Sequence, residues 1–80
     1  MERKNAGYYI IKSISFQNEE YVLGVKTNEK GENKYVTWNC VDKENYYYGH
    51  YIDDYRNALI DLYERAQNHI RWELEHLEVQ

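Results

Sequence analysis

The sequence contains three side-chain types that nucleophilic catalysis uses, in Cys40, His50 and Asp53. A catalytic thiol needs a base within hydrogen-bond reach and a feature that lowers its pKa. The spacing of these residues matches no nucleophile motif. Cys40 also alternates with Val36 and Trp38 in a β-rich run, where a cysteine usually acts as a small buried hydrophobe. We therefore predict a structural role for Cys40. We expect His50 to be half-buried and bonded to the backbone or a tyrosine hydroxyl, and we predict that the protein is not an enzyme.

A second group, His69, Glu73 and His76, has the spacing that places zinc-ligand types on one helix face. A zinc site would need a third or fourth ligand that the helix does not supply. A solvated face with an imidazole–carboxylate contact accounts for the same residues, so we predict no metal and no other cofactor.

Tyrosine supplies ten of the eighty residues, and four of them lie in the segment Asn45–Tyr51, "NYYYGHY". A tyrosine has a large apolar ring and a hydroxyl that needs a partner, which suits half-buried sites and interfaces. A regular strand would place Tyr46 and Tyr48 on one face and Tyr47 and Tyr51 on the other. Both faces of such a strand receive rings, and the face that is not packed on the core must be covered by solvent, a ligand or another chain.

The elements that position these residues follow from the hydrophobic pattern, which has a period of two before Asp54 and a helical period after it. The predicted strands are Gly7–Phe16, Tyr21–Thr27, Lys34–Val41 and Tyr46–Ile52. Their short connections exclude parallel crossovers, so the strands should form an antiparallel meander. The helix should begin at an N-cap of Asp53 or Asp54. Its apolar positions are Tyr55, Ala58, Leu59, Leu62, Ala66, Ile70, Leu74 and Leu77. The sequence thus predicts one α+β domain over residues 1–80, with four strands followed by one long C-terminal helix (ββββα).

The faces of the predicted sheet can be assigned from strand alternation. In one assignment the residues facing the helix are Tyr21, Leu23, Val25, Val36, Trp38, Tyr46, Tyr48 and Ile52. The open face would then carry Tyr35, Thr37, Tyr47 and Tyr51. The opposite assignment changes these names, but it still leaves aromatic rings on the open face.

The predicted helix is too long for the sheet. From Asp54 to Leu77 it would span about 36 Å, whereas a seven-residue strand spans about 23 Å. The overhanging end would carry Ile70, Trp72, Leu74, Leu77 and Val79. We predict that this end forms a homodimer with a second copy. In the alternative, the helix breaks near Gln67–His69 and both halves cover the sheet.

Charge and cysteine content limit the classes of partner and compartment. The formal net charge is −4, and the bases near the aromatic residues, Lys12, Lys26 and Lys34, are too few for a groove that follows a nucleic-acid backbone. We therefore expect no direct nucleic-acid binding. A single cysteine excludes an internal disulfide and favours a reducing compartment. No apolar run reaches the length of a signal-peptide core or a membrane span, so we expect a cytoplasmic protein that does not bind membranes.

The segment Lys34–Ala66 combines Tyr-Val-Thr-Trp, a short polar turn, Tyr-x-x-Gly-His-Tyr and an aromatic- and Arg-containing helix. In this it resembles small proteins encoded by phages and mobile elements of Gram-positive bacteria. The resemblance implies a small sheet-plus-helix protein of the host cytoplasm, from a group in which some members act against host defence. It supplies no catalytic residues.

These observations predict a non-enzymatic binding protein that inhibits or modulates a host protein by occupying its surface. The predicted anchors are Tyr35, Tyr47, Tyr51 and Trp72. Three acids, Asp42, Glu44 and Asp53, would complement a basic partner surface. In a second hypothesis, the protein sequesters a nucleotide-like ligand between aromatic rings at a dimer interface. A structural or regulatory subunit with another partner is the third, and the sequence does not separate it from the first.

Overall fold

The computed structural model describes residues 2–77, which form one antiparallel sheet followed by one helix. Within that range the elements are β1 (Lys4–Asn5), β2 (Tyr8–Ser15), β3 (Glu20–Thr27), β4 (Asn33–Val41), β5 (Asn45–Ile52) and α1 (Tyr55–His76). The strands are arranged in sequence order, each antiparallel to the next. The predicted α+β class and antiparallel meander are confirmed, and the sheet curls into a half-barrel.

The predicted number of strands was wrong, because residues 2–77 contain five strands and not four. The missed strand, β1, has only two residues and pairs with the start of β2. Ala6 and Gly7 connect the two strands with φ of 53° and 84°, the left-handed values of a tight two-residue hairpin turn. A two-residue strand has no periodicity, so the hydrophobic pattern could not reveal it.

One face of the sheet packs against α1. Its buried residues are Tyr21, Leu23, Ala58, Leu62 and Ala66. Directly opposite residues of neighbouring strands share a face, and Leu23 lies opposite Thr37 while Val25 lies opposite Tyr35. Thr37 and Tyr35 therefore face the helix, which corrects the assignment of both residues to the open face.

The other face is concave and has its own buried cluster, formed by Val22, Val36, Trp38 and Cys40. Tyr8 and Tyr51 come from β2 and β5, three strand spacings or about 14 Å apart in a flat sheet. Their ring centroids are nevertheless only 6.3 Å apart, because the sheet curls. Val36, Trp38 and Tyr46 belong to this concave face, so their predicted packing against the helix was wrong.

The helix is continuous, and the alternative with a break near Gln67 is excluded. Asp54 is the N-cap, and its carboxylate accepts a hydrogen bond of 2.9 Å from the backbone N–H of Asn57. Among the described helix residues the buried ones are Ala58, Leu62 and Ala66. Packing continues to His69, whose ring stacks on Phe16 with centroids 4.1 Å apart, and the helix beyond it carries the exposed Ile70, Trp72, Leu74 and Leu77. The longest dimension of the described chain is 53 Å, against 24 and 18 Å for the others.

Two further predictions concern Val79, near the C-terminus, and membrane-spanning segments. Val79, which was placed on the overhang, lies outside the described residues. Between residues 2 and 77, no helix is both long and apolar enough to cross a membrane.

Candidate protein-interaction surface

Strand β5 is an edge strand that carries a bulge at Tyr48 and Gly49. Thr37 of β4 pairs with His50 and Asn39 pairs with Tyr47, so two residues of β5 lie opposite one residue of β4. The extra residue reverses the alternation of faces along β5. As a result Tyr46 and Tyr51 lie on the same face, and the prediction that Tyr47 and Tyr51 share a face was wrong.

Three tyrosines of β5 are exposed around this bulge, and we call them the tyrosine edge: Tyr47, Tyr48 and Tyr51. Their side chains are 48%, 76% and 68% exposed. Tyr47 lies on the helix side, Tyr48 projects from the strand, and Tyr51 lies on the concave side beside Tyr8. The rings of Tyr47 and Tyr48 have centroids 6.2 Å apart. Exposed tyrosines therefore lie on both faces beside the free edge of the sheet and at the edge itself.

The bulge is fixed from both faces of the sheet. On the concave side, a Cβ at Gly49 would lie 2.8 Å from Nε1 of Trp38, so only glycine leaves room for the indole. On the helix side, Arg65 donates a hydrogen bond to the carbonyl oxygen of Tyr48. Tyr48 itself adopts a left-handed φ of 57°, which costs a non-glycine residue about 1–2 kcal/mol. The surrounding contacts thus impose a strained backbone that directs Tyr48 outward.

Arg65 belongs to a polar network between α1 and the sheet. Its Nε donates to Oγ1 of Thr37 at 3.0 Å and to Asp61 at 3.3 Å, and one terminal nitrogen donates to the side-chain oxygen of Asn39. The Thr37 hydroxyl, which is fully buried, donates to the Asp61 carboxylate. Burial alone would raise the pKa of Asp61, but the hydrogen bonds from Thr37 and His50 outweigh it and lower that pKa.

His50 is exposed and not half-buried as predicted, and it contacts Asp61 rather than the backbone or the tyrosine hydroxyl that the sequence suggested. Its Nδ1 lies 3.0 Å from the Asp61 carboxylate. Cys40 faces the concave side, opposite Tyr46, whereas His50 faces the helix, opposite Thr37. The sheet therefore separates the cysteine from the histidine. Burial raises the pKa of Cys40, which reduces its thiolate character.

A polar cluster at one end of the concave face ties the N-terminal segment to β3 and β5. Arg3 donates to Glu20 at 2.7 Å and 3.1 Å and to the hydroxyl of Tyr46 at 3.2 Å. Burial alone would raise the pKa of Glu20, but the hydrogen bond and charge of Arg3 reverse this and lower it. Arg3 thus helps to hold the curl of the sheet closed.

The C-terminal half of α1 and the start of β3 line an open cleft of about 430 Å³. Its lining includes Glu19, Asn39, Asn68, His69 and Trp72. His69 lies 2.8 Å from the Glu73 carboxylate through Nε2, and 3.2 Å from Glu19 through Nδ1. The cleft therefore has a polar wall and an aromatic rim, because Trp72 is 56% exposed.

The hydroxyl of Tyr21 lies beside His69 in the same cleft, 2.9 Å from its Nδ1. Burial, reinforced by the neighbouring Glu19 carboxylate, raises the pKa of Tyr21 to about 12. Tyr21 is thus a neutral hydrogen-bonding group near neutral pH.

The proposed zinc-type triplet is divided between two contacts. His69 bonds Glu73, whereas His76 bonds the backbone oxygen of Trp72 at 2.7 Å and stacks on its ring at 4.1 Å. In the described part of the chain, no group of three or more histidine, cysteine or carboxylate side chains is placed to hold a metal ion.

The structure distributes the predicted anchor residues over several surfaces. Tyr47 and Tyr51 lie on the tyrosine edge, but Tyr35 is half-buried against Tyr55 of the helix, with ring centroids 5.5 Å apart. Trp72 lies at the separate cleft. Tyr48, the most exposed of the tyrosines at the edge, was not among the predicted anchors. The isolated glycine beside it, Gly49, was the available signal, because such a glycine often marks a bulge.

The predicted acids lie at the two ends of β5. Asp42 and Glu44 are exposed in the turn that precedes it, next to Lys43. Asp53 follows it and is bonded to Nζ of Lys34 at 3.2 Å. Of the three predicted acids, Asp53 is therefore paired with a base, whereas Asp42 and Glu44 give the turn before β5 an excess of negative charge over Lys43.

Comparison of the chain with family models, with curated proteins and with solved structures gives no match. A functional argument for this chain therefore starts from its own sequence and geometry.

Proposed function

We propose that this chain is a non-enzymatic binding protein that attaches to a partner protein through the tyrosine edge. The observation that carries the proposal is the outward display of Tyr48, which is 76% exposed on a backbone held at a left-handed φ. Strained conformations persist where the surrounding structure imposes them and often mark sites of interaction. Tyr47 and Tyr51 extend the patch on either side, and tyrosine is enriched among the residues that dominate binding energy.

The bulge also favours one mode of contact over another. An exposed strand edge can bind an extended peptide by adding a strand, which requires a regular row of backbone donors and acceptors. At Tyr48 and Gly49 that row is interrupted, and the carbonyl of Tyr48 is directed to Arg65. The edge is therefore better suited to inserting tyrosine rings into pockets of a folded partner.

The nature of the partner follows from charge and from the resemblance in Lys34–Ala66. Asp42 and Glu44 lie beside the tyrosine edge and complement a basic surface. The resemblance adds that the chain is encoded by a phage or mobile element and that the partner is a host protein, including one of host defence. In this proposal the chain inhibits or modulates that protein by occupying its surface.

Site-specific photo-crosslinking tests the proposal. A benzophenone amino acid is placed at position 48, and the protein is irradiated in lysate of the bacterial host. The control carries the same group at position 9, because Tyr9 is exposed but lies on β2, away from the edge. We expect one host protein to be captured from position 48 and not from position 9. Equal capture from both positions, or none from position 48, would contradict the proposal.

The captured protein then allows a direct measurement. With the purified partner, Tyr48→Ala should weaken binding about tenfold or more, as expected for a central aromatic anchor. Tyr9→Ala should leave the affinity unchanged. Equal losses for the two variants would place the contact elsewhere.

The cleft beside His69 favours a second candidate function, the sequestering of a nucleotide-like ligand. Its volume of about 430 Å³ lies in the range of small-molecule sites, and Trp72 offers a ring on which a base could stack. The side-chain amide of Asn68 supplies a donor and an acceptor, and that of Asn39, whose oxygen accepts from Arg65, supplies a donor. Thermal unfolding against a nucleotide panel tests it, since a ligand at a hundred times its dissociation constant adds about 2.7 kcal/mol. A panel without any shift, or a shift that Trp72→Ala leaves intact, would reject this function.

A further inference from the structure

Helix α1 carries a second apolar stripe that is not used against the sheet. Its members recur at alternating steps of three and four residues, and we call them the helix seam: Ile60, Tyr63, Gln67, Ile70, Leu74 and Leu77. The exposed fractions of its five apolar members are 45%, 49%, 47%, 60% and 59%, in sequence order. At 3.6 residues per turn, the seam is centred about 100° around the helix from the buried residues. It is therefore a separate face that remains open in the single chain.

We infer that two copies of this chain pair through the helix seam, antiparallel to each other and related by a two-fold axis. Alternating steps of three and four residues form the seam by which helices pack in coiled coils. The spacing continues past His69, whose ring packs on Phe16 beside Tyr21, and reaches Leu74 and Leu77 in the overhang. If these apolar residues served only to cover the sheet, they would lie on the helix face that packs against the sheet and would not continue past the sheet on another face of the helix.

The antiparallel register aligns every member of the seam with another member. Ile60 of one copy then packs opposite Leu77 of the second, Tyr63 opposite Leu74, and Gln67 opposite Ile70. The relation is symmetric, as a two-fold interface requires. A single antiparallel register thus places all six seam residues of one copy opposite seam residues of the other.

Charges beside the seam select the antiparallel orientation. Glu64 and Arg71 flank it on the side away from the sheet. In the antiparallel register Glu64 of one copy lies beside Arg71 of the second, and the two-fold axis repeats this pair. Within one chain the two residues are about 10 Å apart along the helix, too far for direct contact. A parallel pair would keep that separation between the copies and would gain no such ion pair.

The same register explains why the helix extends past its own sheet. The sheet-packed segments, each centred on Leu62, would be displaced by about 20 Å along the common axis. The two sheets therefore avoid one another. The overhang with Leu74 and Leu77 lies along the sheet-bearing half of the second copy and is covered there. Trp72 and its cleft lie on the opposite side of the helix, so this pairing leaves the cleft open.

Sedimentation equilibrium of the full chain tests the pairing. Between about 1 and 500 μM we expect a reversible monomer–dimer equilibrium, as for a small interface. Glu64→Arg or Arg71→Glu alone should weaken the dimer about tenfold, because two attractive contacts become repulsive. The double exchange, Glu64→Arg with Arg71→Glu, should restore the affinity. A chain that stays monomeric throughout, or a double variant as weak as the single ones, overturns the inference.

Cysteine pairing tests the orientation. In a Cys40→Ser background, a chain with Ile60→Cys is mixed with a chain with Leu77→Cys, and both are checked for folding by circular dichroism. We expect a disulfide-linked heterodimer from the mixture, because disulfide formation needs Cβ atoms about 4 Å apart. The Leu77→Cys chain alone should not link to itself, since its copies of position 77 would be about 25 Å apart. Self-linkage of Leu77→Cys without the mixed product would show a parallel pair and overturn the inference.

The pairing and the tyrosine edge can fail separately. Tyr48→Ala should leave the dimer unchanged, and the charge exchange at positions 64 and 71 should leave crosslinking from position 48 unchanged. If the chain is monomeric and a photo-crosslinker at position 63 captures a different protein, the seam belongs to that protein and the self-pairing is overturned.

Discussion

The two faces of the sheet are closed by different means. The helix covers one face, with a small apolar cluster around Leu62 and a polar network around Arg65. The concave face is closed by the curl of the sheet, which brings Tyr8, Tyr46 and Trp38 together over the buried cluster. Some of the ten tyrosines are therefore packed on the concave face and are not available to a partner. The two most exposed tyrosines, Tyr48 and Tyr51, lie at the edge where the two faces meet.

This difference changes the argument from composition. A surplus of rings suggested that the protein needs a partner to cover them, yet Tyr21, Tyr8 and Tyr46 are used inside the fold. An aromatic count is thus a weak guide to binding. The position of a ring relative to the curl and the bulge is the useful guide, and it distinguishes Tyr48 from Tyr46 although they are two residues apart.

The largest expected effect comes from breaking the concave face. Trp38→Ala should destabilise the protein by about 3–5 kcal/mol, the usual cost of removing a buried tryptophan. A chain of this size has a total stability of only about 4–12 kcal/mol, so the variant should be close to unfolding. Urea denaturation followed by circular dichroism measures the loss.

Trp72 is the matched control, because the chain has two tryptophans and Trp72 is 56% exposed while Trp38 is 4% exposed. Trp72→Ala should change stability by about 0.5 kcal/mol or less. Similar losses for the two variants would mean that the concave cluster contributes no more than a surface ring.

The second effect concerns one carboxylate on each face of the sheet, the buried Glu20 and the partly buried Asp61. The pKa values of Glu20 and Asp61 are lowered in the folded state by the hydrogen bonds and charges of their partners. At pH values between the folded and unfolded pKa values, the unfolded chain therefore binds more protons than the folded chain. The stabilisation is fully present above the unfolded pKa and is lost as pH falls through the folded one. Stability measured by urea denaturation should decline steadily as pH falls below about 4.5.

Glu20→Gln sharpens that prediction. It should lower stability at pH 7 by about 2 kcal/mol, because Arg3 would lose its charged partner in a partly buried site. It should also flatten the decline at low pH. Glu29→Gln, in the exposed loop after β3, is the control and should change neither quantity. An unchanged acid profile for Glu20→Gln would show that the ion pair with Arg3 does not link folding to pH.

The third effect concerns the bulge of β5 at Gly49, where the two faces of the sheet meet. Gly49→Ala should cost about 1–2 kcal/mol, because its Cβ would meet the indole ring of Trp38, which is held by packing. Displacement of the ring should shift the tryptophan fluorescence. Gly31→Ala is the comparison. No atom lies within 4 Å of the Cβ that alanine would add there, so the cost of this substitution should come only from the left-handed φ of 81° at Gly31. If Gly49→Ala is neutral and leaves the fluorescence unchanged, the indole does not fix the bulge.

Local signals in the sequence predicted much of the fold. Alternation predicted the four longer strands, and the helical period with a cap at Asp53 or Asp54 predicted one helix, which is capped by Asp54 and continuous from Tyr55 to His76. These features depend on residues close together in the chain, for which a periodic pattern is informative. The overhang also followed, because it depends only on the lengths of the elements.

The arrangement of the faces could not be predicted in the same way. It depends on the register of β3 against β4 and on one extra residue in β5, and a shift of one residue exchanges the two faces of a strand. The polar network was missed because Thr37 and Arg65 are distant in the sequence and meet only when the helix docks. Gly49 was the one local clue to the bulge, and it did not show which tyrosine would turn outward.

The smallest expected effect separates the role of the tyrosine edge in stability from its role in binding. Tyr48→Gly should stabilise the protein by about 0.5–1 kcal/mol, because glycine adopts a φ of 57° without the strain that a side chain suffers. Tyr47→Gly is the control. Both variants lose the contact between the two rings, but Tyr47 is not at a positive φ, so glycine there relieves no strain and adds conformational freedom to the unfolded chain, and that variant should be destabilised. Urea denaturation of both variants gives the two signs, and the purified partner should bind the more stable Tyr48→Gly protein more weakly. A loss of stability in Tyr48→Gly would instead make the ring of Tyr48 a part of the fold, and the strained backbone would no longer indicate a binding role.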